Sequence, residues 1–453
     1  MSDGTDPTER RAPLLRDALI TIGTRFGLAA LIFATDVILA RALGPAAKGR
    51  FTLVLLYSQL AALVVGWGMD QALAVVAGRS VESARRGLAN AIVWSAVVGG
   101  FAVIVSVWLY GVPASGPPSG PGTAILPNLS AAQFVFAAVA IPGELFFAFG
   151  LFALLGRRAV GAYSAIRMLR AAVLLGAILA TIAIARLSLD VALVINLVTL
   201  AVTTVAILVA ARRYGILGGR PSSTVLKEQL RFGSRGLPGT LAERLQYRAD
   251  TFLVNVIAGI QATGIYSVTS GLAETLWYVP NALGLVMLSR AVDAHADAGR
   301  VAATLTRFTV AIVAVAAVPT FIAGPRLIRL VYGSTFVDAG VALRLILPGV
   351  VAYSVVAILT RYITGVGRPG TTTLIMVTGL AANIAANLIL IPRLGINGAA
   401  ISSSISYGLT ALVTLVIFTR LSGQGWLETL VIRPADVRAA GRRVINAAAR
   451  GPR

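Results

Sequence analysis

Apolar residues in this chain fall in long unbroken runs rather than at helical or strand spacing, and the runs recur at regular intervals. Runs long enough to cross about 30 Å of hydrocarbon lie at 18–40, 51–77, 88–110, 131–155, 161–185 and 189–211. A second set lies at 236–258, 264–289, 303–323, 341–363, 371–391 and 397–419. Twenty-residue apolar segments satisfy their backbone polar groups in hydrocarbon only as helices or closed barrels, and runs of this length are helical. The pattern predicts an all-α polytopic membrane protein with about twelve transmembrane helices. The expected layout is a cytoplasmic tail (1–17), a six-helix lobe (18–213), a cytoplasmic linker (214–235), a second six-helix lobe (236–420) and a basic cytoplasmic tail (421–453). The first run is too long for a cleavable signal and eleven more follow it.

The two sets repeat one another. Asp36 precedes Gly44, Gly49 and Phe51, and Asp250 precedes Gly259, Gly264 and Tyr266. Gly156-Arg157-Arg158 matches Gly367-Arg368-Pro369, and Arg186-Leu187-Ser188-Leu189-Asp190-Val191-Ala192 matches Arg393-Leu394-Gly395-Ile396-Asn397-Gly398-Ala399. The offsets run 215, 211 and 207, a drift expected of one duplication followed by small deletions. Six spans per half make both halves enter the membrane the same way, so they should be pseudo-symmetric about an axis along the membrane normal. Mid-span irregularities also correspond: Val65-Gly66-Trp67-Gly68 in span two and Tyr278-Val279-Pro280-Asn281 in span eight weaken the helical ladder at similar places.

Charge changes the picture in one respect. The formal net charge is +21, yet only 13% of the 453 residues are charged and the mean hydropathy is +0.84. Basic residues sit in short clusters between the runs, which suits lipid headgroups and orientation rather than nucleic acid. Of 39 Lys and Arg, 28 fall on the side of the N-terminus, among them Arg157, Arg158, Arg167 and Arg170. Eight fall on the other side, among them Arg41 and Lys48, and Arg25, Arg244 and Arg248 lie within spans. That asymmetry places both termini in the cytoplasm. The tail at 433–449 alternates basic and small apolar positions, as either an inner-leaflet helix or a disordered basic tail would. Cysteine is absent and the single histidine, His295, cannot build a metal site, so neither metal nor cofactor is expected. No phosphate-binding Gly-x4-Gly-Lys-Ser/Thr loop occurs either.

Two stretches carry a family resemblance. One is Leu327-Ile328-Arg329-Leu330-Val331-Tyr332-Gly333-Ser334-Thr335-Phe336 with Ala342-Leu343-Arg344-Leu345-Ile346-Leu347-Pro348-Gly349; the other runs from Asn383 through Asn387, Pro392-Arg393-Leu394-Gly395 and Asn397-Gly398-Ala399 to Tyr407. Together with Ala40-Arg41-Ala42-Leu43-Gly44-Pro45, they resemble the polysaccharide-biosynthesis flippases, of O-antigen type, in the multidrug/oligosaccharidyl-lipid/polysaccharide exporter superfamily. The resemblance implies two six-helix lobes around a central cavity lined by spans one and seven. It implies translocation of an undecaprenyl-pyrophosphate-linked oligosaccharide from the inner to the outer leaflet of the bacterial cytoplasmic membrane, by alternating access. A polysaccharide polymerase is the partner such a protein would serve, beside the bilayer itself.

Charges inside spans are the candidate chemistry, since each costs about 2.5–3.5 kcal/mol to insert. Arg244 and Arg248, four residues apart on one helix face, with Arg25 in span one, are candidates for binding pyrophosphate, whose oxygens suit guanidinium. Equally, Arg244 and Arg248 could form structural ion pairs with Glu243 or Asp250, and Arg25 could snorkel to the surface. Asp36 and Asp250, at equivalent places in the repeats, and the lone acids Glu144 and Glu274, are ion-coupling candidates; Asp36 could instead partner Arg41 and Asp250 partner Arg248. Glu243, Gln246, Tyr247 and Trp277 complete the expected cavity lining, the aromatics either stacking on sugar rings or anchoring at the interface. Two rival functions are open: a cation-coupled multidrug exporter of the same superfamily, whose cavity should be acidic or aromatic, and a membrane-embedded polymerase or acyltransferase, which needs a catalytic cluster at an aqueous face.

Overall fold

The computed structural model describes residues 11–111, 119–124, 126–292 and 297–432, with the backbone alone at 11–26, 285–286, 288–290 and 292. His295, the basic stretch at 433–449 and the side chain of Arg25 lie outside the described residues. Every regular element described is helical. In order these are α1 (Arg11–Val65), α2 (Met69–Arg79), α3 (Val81–Tyr110), α4 (Ala131–Gly156), α5 (Val160–Ile184), α6 (Leu189–Arg213) and α7 (Ser223–Ala258). They continue as α8 (Ile260–Thr275), α9 (Tyr278–Val292), α10 (Ala298–Val331), α11 (Ala339–Gly365), α12 (Pro369–Leu394), α13 (Ile396–Ser422) and the short α14 (Trp426–Leu430). Among the described residues, nine helices are long and apolar enough to cross a membrane, and they take up ten of the twelve expected spans. Expected span seven fails that measure because α7 carries too many charges. Span eight fails because α8 and α9 are each shorter than a bilayer crossing. The chain is a multi-pass membrane protein, but the structure does not return twelve uninterrupted apolar spans.

Two compact units divide the chain: Met1–Leu241 with Gly259–Gly264, and Ala242–Ala258 with Ile265–Arg453. The division falls inside α7, three residues beyond Pro238. The expected linker at 214–235 lies ahead of that division and is in part helical. Residues from Ser223 onward are helical, and the junction is tied down within the first unit: Asn90 on α3 donates to the Ser222 carbonyl at 3.1 Å and accepts from the Ser222 amide at 2.9 Å. Inside the first unit α4 is the central helix, with Ile141, Leu145, Phe149 and Leu154 packed against Met69, Leu73 and Leu88. The second unit is built around α11, which is apolar over most of its surface and buries Leu343, Ile346, Val350, Ile358 and Leu359. A helix that is hydrophobic all round is stable only when surrounded by other helices. These two central helices are the fourth span of each half, as duplication requires.

Each repeat motif has a structural reason. Gly44 and Gly259 both adopt positive φ, 72° and 87°, where they break the chain after the first span of each half; a residue with a Cβ is strained there. Gly49 and Gly264 face one another: a Cβ built on Gly49 would sit 3.0 Å from the Gly264 nitrogen, and one on Gly264 would sit 3.0 Å from the Gly49 nitrogen. Both predicted irregularities are breaks. Trp67 and Gly68 take positive φ, 52° and 69°, between α1 and α2. Leu276 and Trp277 form a turn between α8 and α9.

One orientation assignment needs correction. Arg167 and Arg170, grouped with the inner-side basic residues, belong to α5, about 10 and 15 Å along the helix from its first residue. Moving them into a span leaves the basic asymmetry between the two sides intact.

The close approach of Gly49 and Gly264 generates a stability prediction. Gly264→Val should destabilise the purified protein by about 1–3 kcal/mol, as overpacking does. Gly271→Val, on α8 with open space around its Cβ position, should leave the thermal unfolding midpoint in detergent nearly unchanged. Equal midpoints for the two variants would refute the packing role of the repeat glycines.

Candidate functional site

The polar stretch of α7 from Glu243 to Asp250 places each side chain at about 100° from the last, so its charges fan out to different neighbours. Arg248 forms a bidentate pair with Glu274 of α8, at 2.7 and 2.9 Å. The expected partners Glu243 and Asp250 are thereby corrected: they stand five and two residues away, on other faces of the same helix, where side chains do not meet. Glu243 instead lies 3.6 Å from Arg361 of α11. Asp250 is buried and accepts three hydrogen bonds: from Tyr266 Oη at 2.5 Å, Ser403 Oγ at 3.0 Å and the Thr251 amide at 2.8 Å. Tyr266 is the aromatic of the second repeat motif, so the motif's aspartate and aromatic are bonded to each other. Arg244 differs from all of these. Its side chain is exposed and forms no ion pair with the described residues.

Around this stretch the second unit concentrates polar groups that sequence patterns did not single out. Gln246 is buried and donates to Thr410 of α13 at 2.8 Å, while its Oε1 has no donor among the described residues. Asn387 donates to Asn383 at 2.9 Å, and Asn383 donates to Ser406 at 3.3 Å. Both asparagines sit on α12, four residues apart, a spacing that puts them on one face. Tyr247 and Trp277 join Tyr353 and Tyr407 in an aromatic cluster with ring centroids 5.0–6.4 Å apart. The Tyr247 and Tyr353 hydroxyls are bonded to each other, and the Trp277 indole donates to the Val350 carbonyl at 3.2 Å. Trp277 is 7% exposed. Its face is taken up by protein, which corrects its expected place as an open stacking surface; Tyr247 is half-buried in the same cluster.

In the first unit, Asp36 is bonded to Lys48 at 2.5 Å, across the break at Gly44. Lys48, expected on the outer surface, is buried. Glu144, expected as a lone acid, is paired with Arg170 through both carboxylate oxygens, one of the bonds at 3.0 Å. The side chains are 7% and 17% exposed, and the guanidinium lies 4.4 Å from the centroid of Phe147. Glu274 is likewise no lone acid, since it holds Arg248. The one signal that could have found the Glu144–Arg170 pair was opposite charge deep in two consecutive spans. Among the described residues, no three His, Cys, Asp or Glu come together as a metal site would require.

Comparison with known proteins gives a family and a fold. Residues 38–340 match the model of the family described as "Polysaccharide biosynthesis protein". No curated protein matches the chain. Among solved structures, the Lipid II flippase MurJ in an inward closed conformation superposes with a TM-score of 0.74 at 13% identity, covering 88% of this chain and 87% of that one. An inward-facing multidrug resistance MATE family transporter of the MOP superfamily gives 0.72 at 16% identity, covering 87% and 94%. A MOP superfamily transporter from Pyrococcus furiosus Vc1, described as having a binding pocket of reverse polarity that suggests a different function, gives 0.60 at 18% identity, covering 88% and 95%. At these identities the likeness is one of fold: this chain has the architecture of the multidrug/oligosaccharidyl-lipid/polysaccharide exporters.

The Glu144–Arg170 geometry has a measurable consequence. Removing one member of a buried pair leaves an uncompensated charge, at a cost of about 3–5 kcal/mol. Glu144→Ala should therefore sharply reduce thermal stability, and Glu144→Ala/Arg170→Leu should recover much of the loss. A double variant no more stable than Glu144→Ala would remove the pair's structural role.

Proposed function

Because the chain belongs to the polysaccharide biosynthesis protein family, we propose that it carries an undecaprenyl-pyrophosphate-linked oligosaccharide from the inner to the outer leaflet of a bacterial cytoplasmic membrane, both termini facing the cytoplasm. The observation that carries the reading is Arg244: a guanidinium in a membrane helix, exposed and without an ion-pair partner among the described residues, four residues from an arginine that has one. Such a cation is expensive in hydrocarbon and must face water. Once there, it offers paired N–H donors to phosphate oxygens at any relevant pH. Arg248 serves differently: its donors are directed at Glu274, and its role is to hold α7 to α8 and keep Arg244 in place.

The four acids divide in the same way. Asp36, Glu144 and Glu274 each hold a cation, whereas Asp250 takes its hydrogen bonds from two hydroxyls and an amide. Asp250 is therefore the acid to bet on for ion coupling. With the cell interior negative, moving two phosphate charges outward is downhill by about 4.6 kcal/mol per 100 mV, at about 2.3 per charge. Export could run on that potential, with the ion resetting the carrier. The unpaired cation favours an anionic cargo over the cationic drugs of a multidrug exporter.

The test is leaflet exchange of a fluorescent undecaprenyl-pyrophosphate oligosaccharide in proteoliposomes. Wild type should exchange it, Arg244→Ala should slow exchange at least about tenfold, the loss of one charged hydrogen bond, and Arg244→Lys should retain part of the rate. Asp250→Asn should remove any dependence on an imposed proton or sodium gradient while leaving potential-driven exchange. No exchange by folded wild type would defeat the assignment.

A further inference from the structure

The first unit holds a cation that neither the repeat motifs nor the family relationship singles out. Arg167 is exposed on α5, about 10 Å along the span from Val160. The direction of that exposure is informative. At about 100° per residue, Arg167 falls within the arc of about 140° that contains the buried Ile166, Ala171 and Ile178. The opposite side of the helix carries Leu169, Ala172, Gly176 and Leu179, all exposed and apolar, which is the composition of a lipid-facing side. Arg167 is thus exposed on the packed side of its helix, away from the apolar exposed side.

Its charge is also uncompensated among the described residues. Arg170, three residues on, is neutralised by Glu144. Arg167 has no carboxylate partner among the described residues. Its polar neighbour is the Tyr163 hydroxyl, which accepts from Nη1 at 3.3 Å while the ring lies 5.5 Å from the guanidinium carbon. That tyrosine restrains the side chain but leaves most of its five N–H donors unused. Duplication does not account for the residue: at the 211-residue offset that relates Gly156 to Gly367, the second half has Thr378 where Arg167 stands.

We propose that Arg167 is a second anion-binding residue of the transport path, situated in the first unit and taking the diphosphate group of the lipid-linked cargo. This rests on the reading of the cargo as diphosphate-linked. A guanidinium restrained on one side by an aromatic hydroxyl and open on the other is suited to phosphate oxygens, which accept two parallel N–H bonds. The neighbouring Glu144–Arg170 pair keeps that acid from competing for Arg167.

The test uses full-length protein in phosphatidylcholine nanodiscs, titrated calorimetrically with inorganic pyrophosphate. Thermal unfolding of each variant checks that it is folded. Arg167→Gln should weaken binding at least about tenfold, and Arg167→Lys should recover part of it. Wild-type affinity in folded Arg167→Gln, with affinity lost in Arg244→Gln, would overturn this proposal and leave the flippase reading standing. Loss in Arg167→Gln alone would support it and remove Arg244 from the path. No pyrophosphate binding by wild type would overturn both. The phosphate could instead belong to a bilayer phospholipid. In nanodiscs containing phosphatidylglycerol, loss of co-purifying phosphatidylglycerol from Arg167→Gln with pyrophosphate binding intact would assign Arg167 to lipid and overturn the proposal.

Discussion

The cost of an ionised side chain in hydrocarbon, about 2.5–3.5 kcal/mol on insertion scales, governs where every charge in this protein can stand. Each acid placed within the spans and described here has met that cost with a partner. Glu144 has Arg170, Glu274 has Arg248 and Asp36 has Lys48, while Asp250 has a set of hydrogen-bond donors. These pairs join α4 to α5, α7 to α8, and the two arms of α1 across Gly44, so neutralising charge also ties neighbouring helices together. Arg244 and Arg167 are exposed and have no carboxylate partner among the described residues. A cation within a span is costly unless it reaches water or a headgroup, which is why these two arginines carry the proposals above and the paired ones do not.

Backbone constraints divide the labour between the two glycines of each repeat motif. The first, Gly44 or Gly259, supplies a positive φ that ends a span. The second, Gly49 or Gly264, removes a Cβ so that two helices can meet at backbone distance. Small residues at such contacts let membrane helices pack by dispersion where no hydrophobic driving force exists between apolar surfaces. The aromatic that follows has diverged: Tyr266 gives Asp250 a hydroxyl, and Phe51 has none to give, so Asp36 depends on Lys48 instead. The repeated motif thus carries a hydrogen-bonded carboxylate in one half and an ion pair in the other.

The polar and aromatic residues of the second unit illustrate how burial redistributes roles. Gln246, Asn383, Asn387, Ser403, Ser406 and Thr410 are buried and mostly satisfied by one another. Such networks specify one packing of α7, α12 and α13 where apolar side chains alone would permit several. Trp277 closes the turn between α8 and α9 with its indole bonded to α11, and so secures the broken helix.

The sequence alone determined the helical, multi-pass class, and it marked the internal repeat and the two places at which the structure breaks a span. All of these follow from local composition or fixed spacing: an apolar run must be helical in lipid, and a repeat is a property of the linear string. The family resemblance was also legible, in the stretch around Tyr332 that falls within the matched region. Only the tertiary structure decided which charge meets which. Arg248 chose Glu274 over Asp250 because helix periodicity turns near neighbours to different faces, and Arg170, grouped with a surface cluster, proved to hold Glu144. Whether an arginine is spent on an ion pair or left free for a ligand depends on distances across helices, which no spacing along one helix contains.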